Sequence, residues 1–224
     1  MYEVALSILN NLEENGFKAY IVGGYPRDKY MNRNSSDIDI CTSAKVDDIE
    51  KIFSNIDKKY SKYVNVIIIE NNYKFEVTTF RNDIYLKNRN DILINYVETL
   101  KEDLKRRDFI INTLCIDKDG NYVDLMNARN DIDNKTIRLV RNDEELKEDP
   151  LRILRAIRFA TILNFKLDKE LEKGIIKYGY LIDDLSINKK KIEIDKIINS
   201  YNKEYGLKLI KKYKLDKFIN KNNV

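Results

Sequence analysis

The apolar pattern of this chain changes period once, and that change restricts the fold more than any other feature. Up to about residue 125, short β-rich runs are interleaved with brief helical stretches; from Glu144 onward, apolar residues recur at helical spacing. Residues 2–15 read as a helix with Ala5, Ile8, Leu9 and Leu12 on one face and Gly16 as its stop. Strands are expected at Lys18–Val22, Asp37–Cys41, Tyr63–Glu70 and Tyr73–Phe80, with Asn71–Asn72 as a hairpin turn, and a last short one at Asn121–Leu125. Short helices are expected at Pro26–Met31 and Val46–Phe53, a polar mobile loop over 81–102, and then a helix containing RRDFIINTLCI. Leu171–Tyr178, Lys189–Ile198 and Tyr205–Tyr213 read as further helices. The class is therefore α+β: a mixed-sheet head over residues 1–140 followed by an all-helical segment over 141–224.

Composition limits the chemistry. The chain has no histidine, and its two cysteines, Cys41 and Cys115, lack metal-ligand spacing. A zinc site or a histidine base is excluded, so acid, base and metal chemistry falls to carboxylates. No apolar run approaches a membrane span and the N-terminus is not signal-like, so no membrane association and a cytoplasmic location are expected. Charge is uneven. Residues 186–224 carry eleven lysines against four acids, leaving that stretch at +7 and the remainder at −3. Such a split suits a polyanionic partner, and equally a solvated helix surface.

Three short motifs carry candidate chemistry. In Gly23-Gly24-Tyr25-Pro26-Arg27-Asp28, a strand ends in two glycines before a helix, which lets backbone N–H groups approach a phosphate, with Arg27 one turn in to clamp it. An ordinary strand-to-helix turn has the same composition. In Asp37-Ile38-Asp39, side chains two apart share a strand face, and adjacent carboxylates repel unless a cation lies between them. Glu76 is an acid between apolar neighbours on a later strand; beside Asp37–Cys41 it would bring three carboxylates together, enough for two Mg²⁺ ions with a triphosphate completing the ligands. Exposed strand acids read the same way one at a time; the conjunction within residues 23–39 is far less common.

GGYPRD, then DID, then FEVTTFR, in that order, resembles the active-site pattern of the DNA polymerase β nucleotidyltransferase superfamily. Arg106-Arg107-Asp108-Phe109-Ile110-Ile111-Asn112 is similar to the RRDF-x-x-N block of class II tRNA nucleotidyltransferases and bacterial poly(A) polymerases. Glu148-Asp149-Pro150-Leu151-Arg152 matches that group's EDxxR block. The resemblance spans residues 20–160, continuing more weakly to about 198. It implies a polymerase β-like nucleotidyltransferase head with a helical neck, template-independent addition of C or A to a tRNA or other RNA 3′ end, CTP and ATP as substrates, and two Mg²⁺ ions. Catalysis would fall to Asp37, Asp39 and Glu76; Gly23, Gly24 and Arg27 would hold the nucleotide, with Asp28 in support. Arg107 and Asp108 would contact its sugar or base, backed by Asn112. Asp149 and Arg152, three apart on a helix, would read the Watson–Crick edge of C or A, because a carboxylate accepts from an exocyclic amine and a guanidinium donates to a ring nitrogen or carbonyl. Glu148 would brace Arg152, and Arg155 and Arg158 would face phosphate or nucleotide. Without the head motifs, a surface helix with i,i+3 ion pairs accounts for the same residues.

Departures from the group's pattern qualify the expectation. Asn127–Ala128 stands where the group carries a glycine pair, so a different local turn is expected there. After Ser186 comes Ile187-Asn188-Lys189 in place of a Glu-Arg pair, although Glu193 is in register, and loss of a brace to the base-reading pair is expected. Relatives generally continue into helical body and tail domains that grip tRNA; these are expected to be missing here or supplied by a protein partner. Poly(A)-like tailing, an inactive RNA- or nucleotide-binding module, and half of a two-chain enzyme are the alternative readings.

Overall fold

The structure, a computed structural model, describes residues 1–57, 64–86 and 91–219. It divides into two compact units, Met1–Ile84 with Ile94–Arg129, and Tyr85–Leu93 with Asn130–Val224. The division falls at Arg129/Asn130, ahead of the expected 140/141.

In chain order, the elements of the first part are α1 (Tyr2–Glu14), β1 (Ala19–Val22), α2 (Gly24–Tyr30), β2 (Asp39–Thr42), α3 (Val46–Ile52), β3 (Ile56–Asp57), β4 (Asn65–Glu70), β5 (Tyr73–Thr79), β6 (Arg81–Tyr85), β7 (Ile92–Tyr96), α4 (Leu100–Leu104), a 3₁₀ turn at Ile110–Asn112, β8 (Cys115–Ile116) and β9 (Tyr122–Val123). Seven strands form one mixed sheet in the order β3-β4-β5-β2-β1-β8-β9, in which only β2 and β5 run parallel. Its two faces bury different sets. Ile21, Ile38, Ile40, Phe75 and Val77 pack with Ala5, Ile8, Leu9 and Leu12 of α1 and Ile49 of α3. Val22, Cys41, Phe80 and Cys115 pack against Leu100 and Leu104 of α4. Both cysteines are free and serve as small apolar filler. Asn71 and Asn72 both take positive φ, 48° and 64°, the conformation of a two-residue hairpin turn. Asn127 takes φ 61°, so the left-handed slot falls on an asparagine that tolerates it, and Asp124 accepts from the Ala128 N–H at 2.6 Å to start the next helix.

The second part comprises α5 (Ala128–Asp133), β10 (Thr136–Ile137), α6 (Glu144–Glu148), α7 (Leu151–Leu163), β11 (Lys166–Leu167), α8 (Lys169–Tyr178), a 3₁₀ stretch at Gly179–Asp184, α9 (Ile187–Ile198), α10 (Lys203–Lys212) and α11 (Asp216–Ile219). It is not wholly helical: β10 and β11 pair in parallel, and this pairing draws residues 130–140 into the second unit. The centre is α7, which packs against α9 and α10 through Ile153, Leu154, Ala156, Ile157 and Ala160. Leu151 and Phe159 of the same helix are only partly buried.

Two expectations fail. Residues 81–102 hold the β6–β7 hairpin and the start of α4, not a loop; positions 87–90 lie outside the described residues, as does Tyr63 at the expected start of β4. The signal for α4 is the Thr99-x-x-Glu102 spacing of a capping box: the Thr99 hydroxyl accepts from the Glu102 N–H and donates to the Glu102 carboxylate. The RRDF segment is not a helix either. Asp108 Oδ1 accepts from the Phe109 N–H (2.8 Å) and from Asn112 Nδ2 (3.0 Å), so the side chain competes with the helical ladder and leaves only a 3₁₀ turn. Among the described residues, no helix is long and apolar enough to cross a membrane.

Gly206 tests the packing of the second unit. A Cβ there would overlap Thr161 Oγ1 and lie 2.6 Å from Ile197 Cγ2. Gly206→Ala should therefore destabilise by about 1–2 kcal/mol despite the better helix propensity of alanine, because overpacking costs more than propensity returns; a urea titration reads the shift in midpoint.

Candidate active site

Strand alternation and register build the first half of the site. In β5, Phe75 and Val77 enter the core while Glu76 and Thr78 face the other way. The parallel pairing sets Asp39 directly opposite Glu76. Asp37 precedes the strand, which begins at Asp39, and exposure alternates from Asp37 to Ile40, Ile38 and Ile40 being buried and the two aspartates exposed. Asn65 of β4 donates to Glu76 Oε1 at 2.6 Å. Gly23 closes over this point: its φ of 88° suits glycine, and a Cβ there would lie 3.7 Å from Asp39 Oδ2 and 4.0 Å from Arg107 Nη1.

A cleft of about 230 Å³ opens here, lined by Asp39 and Glu76 on one side and Arg81, Arg106 and Arg107 on the other, with Val22, Ile40, Asn65 and Thr78 between. The arginines are gathered by Asp103, which is fully buried. Asp103 accepts from Arg106 Nε (2.8 Å), Arg107 Nη2 (3.1 Å) and the Arg81 N–H (3.2 Å). Burial works against the charge on Arg107, but Asp103 outweighs it and holds the guanidinium protonated. Arg81, which lies in the expected loop, and Asp103 are not among the residues that the sequence points to, and Arg106 stands in the RRDF block without an assigned role; the Thr99-x-x-Glu102 spacing is the signal that places Asp103 on a helix.

The second half of the head site is a chain of side chains from α2 to the 3₁₀ turn. Arg27 is buried, donating from Nε and Nη2 to Asp28 (2.9 and 3.0 Å) and from Nη1 to Asn112 Oδ1 (2.6 Å); Asn112 donates onward to Asp108. Arg27, expected to clamp a triphosphate, is oriented by Asp28 beside it and Asn112 opposite, which engage three of its five N–H groups.

Asp39 is the electrostatic focus. Burial, then the repulsion of Glu76 and Asp37, pushes its carboxyl up to about 6 against the pull of Arg107. The carboxylate is nonetheless open to solvent on one side, which tempers the effect. An oxygen-only donor set under like-charge repulsion fits a hard divalent cation. Among the described residues, no three His, Cys, Asp or Glu side chains form a complete metal-binding cluster by themselves.

In the second unit, Asp149 and Arg152 do not lie on one continuous helix. Asp149 ends α6, Pro150 precedes α7, and Asp149 Oδ1 accepts from the Leu151 N–H at 3.1 Å. Both residues are buried, where hydrogen bonds to a base edge would be strong. Glu148 was expected to brace Arg152. Arg152 Nη1 lies 3.1 Å from Glu145 Oε2, and Glu148 accepts from Arg141 Nη2 at 2.5 Å. Arg158 was expected to face phosphate or nucleotide. It is buried, 3.2 Å from Glu193 Oε2, with its guanidinium 4.3 Å from the Phe159 ring centre. The Glu193 brace is thus present, reaching Arg158. Arg155 lies 5.4 Å from that ring and is partly exposed.

A mixed sheet carrying paired acids and a Gly-Gly turn, followed by a helical region, is a nucleotidyltransferase head with its helical extension. Residues 19–138, more than half of the chain, match the family described as Poly A polymerase head domain, and the chain belongs to that family. It is 39% identical over 196 residues to the CCA-adding enzyme of Bacillus subtilis strain 168, covering 87% of this chain and 49% of the relative. With the CCA-adding enzyme of Streptococcus uberis it shares 37% over 208 residues, 92% of this chain and 52% of the relative. The crystal structure of the Bacillus stearothermophilus CCA-adding enzyme in complex with CTP superposes with a TM-score of 0.90 at 32% identity, covering 98% of this chain and 54% of that one. The chain spans about half the length of the curated relatives it matches.

The raised Asp39 carboxyl has a stability consequence. A carboxyl held above its ordinary value of 3.8 costs most above pH 6, and the cost falls away as the pH drops toward and below 3.8, where it is protonated folded and unfolded. In chelator-treated protein, Asp39→Asn should raise the melting temperature at pH 7.5 by about 2–4 °C, and the gain should shrink to a small fraction at pH 4. Thermal scans across pH 4–7.5 check it.

Proposed function

We propose that this protein adds C and/or A to the 3′ end of tRNA from CTP and ATP without a nucleic-acid template. The observation that carries the reading is Asp39 set opposite Glu76 by strand register, facing an arginine wall within one cleft. A triphosphate needs both: cations for its oxygens and carboxylates for the divalent ions it brings. The relatives' description as CCA-adding enzymes supports the choice of RNA and nucleotide.

Asp37, Asp39 and Glu76 would hold two Mg²⁺ ions, which, when bound, supply acidification of the RNA 3′-hydroxyl and neutralise the departing pyrophosphate. Arg81 and Arg106 orient the triphosphate so that its α-phosphorus stands in line with that hydroxyl. The Gly23–Gly24 turn leaves room for the nucleotide to approach the acids. Arg27, Asp28, Asn112 and Asp108 hold the wall of the site, and Asp108 and Arg107 face the sugar or base. Asp149 and Arg152 choose the base: their acceptor and donor suit C and A and conflict with U and G. Exposed lysines of α9 and α10, such as Lys191, Lys196 and Lys208, offer sequence-independent contacts to RNA phosphates.

The test is incorporation of each of the four labelled nucleoside triphosphates, with Mg²⁺, into tRNA ending before CCA. Incorporation of C and A only is expected. Asp39→Ala should lower it by more than about a hundredfold, since losing even an outer partner of a metal ligand costs 10–100-fold. Addition of A alone in long tails would assign poly(A)-type tailing instead. Absence of any incorporation would leave nucleotide or RNA binding as the function.

A further inference from the structure

The junction between α6 and α7 carries a charge relay that the proposed chemistry does not use. Glu145 is buried, and each of its carboxylate oxygens faces a different guanidinium. Oε1 accepts from Arg141 Nε at 2.7 Å, and Oε2 lies 3.1 Å from Arg152 Nη1. Arg141 reaches on to Glu148 at 2.5 Å, the residue immediately before Asp149. Arg152 and the backbone leading into Asp149 are thereby tied, through Arg141, to a single buried acid. A guanidinium is planar, with donors in a fixed fork, so a partner on one Nη sets the direction of the rest. Burial pushes the Glu145 carboxyl above its ordinary value and the two arginines pull it back in part, so its charge depends on both being held close.

We infer that Glu145 is a specificity-positioning residue: through its ion pair it sets the orientation in which Arg152 presents donors to the incoming base, with Arg141 holding Glu145 in place. This rests on the reading of Asp149 and Arg152 as the base-selecting pair. Glu145 itself touches no substrate, so its removal should change which nucleotide is chosen more than how fast the preferred one is added. A base-reading contact contributes discrimination of about tenfold or more, and a guanidinium that turns freely in its plane loses that directionality first.

The experiment measures kcat/KM for CTP, ATP, UTP and GTP on the same tRNA acceptor with the full chain, for Glu145→Gln, Glu145→Asp, Arg141→Met and Arg152→Ala. Melting temperatures and RNA-free titrations of CTP and UTP are taken alongside. Glu145→Gln keeps the shape and removes the charge. It should reduce CTP-over-UTP and ATP-over-GTP discrimination by about tenfold while kcat for CTP changes less; Glu145→Asp should restore part of the loss, and Arg141→Met should lie between wild type and Glu145→Gln. Should Glu145→Gln fold poorly, Arg141→Met and the binding ratios carry the test. Arg152→Ala separates the two claims. If it leaves nucleotide choice unchanged, the base-selecting reading fails and this inference with it. If it alters choice while Glu145→Gln retains wild-type discrimination, or loses activity equally for all four nucleotides, the inference about Glu145 alone is overturned.

Discussion

The parallel pairing of β2 with β5 places Asp39 against Glu76, and the head site depends on that register. Shifting either strand by one residue would exchange the faces, sending its acid toward the core and a core residue such as Val77 toward the cleft. Register is held because Ile38, Ile40, Phe75 and Val77 have only one face on which α1 and α3 can bury them. The hydrophobic core therefore supports two like charges side by side, an arrangement electrostatics opposes. The raised Asp39 carboxyl is the measure of that opposition.

The same solution to buried charge recurs. In the first unit Asp103 gathers Arg106 and Arg107; in the second, Glu145 joins Arg141 and Arg152, and Glu193 holds Arg158. In each case an acid withdrawn from solvent fixes guanidinium groups whose own long side chains would otherwise sample many rotamers. Arginines positioned in this way can meet a triphosphate or a base edge with little further ordering. Mutating such an acid removes the reference against which its arginines are aligned.

Much of the architecture was legible because it follows from local rules. The stripe Ala5–Ile8–Leu9–Leu12, the Asn71–Asn72 turn and the alternation in residues 37–41 each state their structure within a few residues. Where the reading failed, local and tertiary preferences conflicted. Residues 81–102 are polar, yet the Arg81 N–H donates to Asp103 and its guanidinium pairs with Asp83 at 2.9 Å, so polarity there does not mean exposure. Arg152 and Arg158 recur at helical spacing like a solvated face, but each meets a buried glutamate. Asp149 breaks the helix by accepting from the Leu151 N–H, a competition that spacing alone does not reveal.

The sequence by itself determined the α+β class, the order of its motifs, the carboxylate chemistry and the candidate residues, because periodicity, glycine placement and the absence of histidine act locally. Tertiary structure decided which of those residues meet: Asp39 with Glu76, Arg27 with Asn112, Arg152 with Glu145. Long-range pairing of that kind depends on strand register and on where a helix kinks, and neither is encoded by the spacing of charged residues, since an acid seven positions from an arginine is a neighbour only after the chain has turned between them.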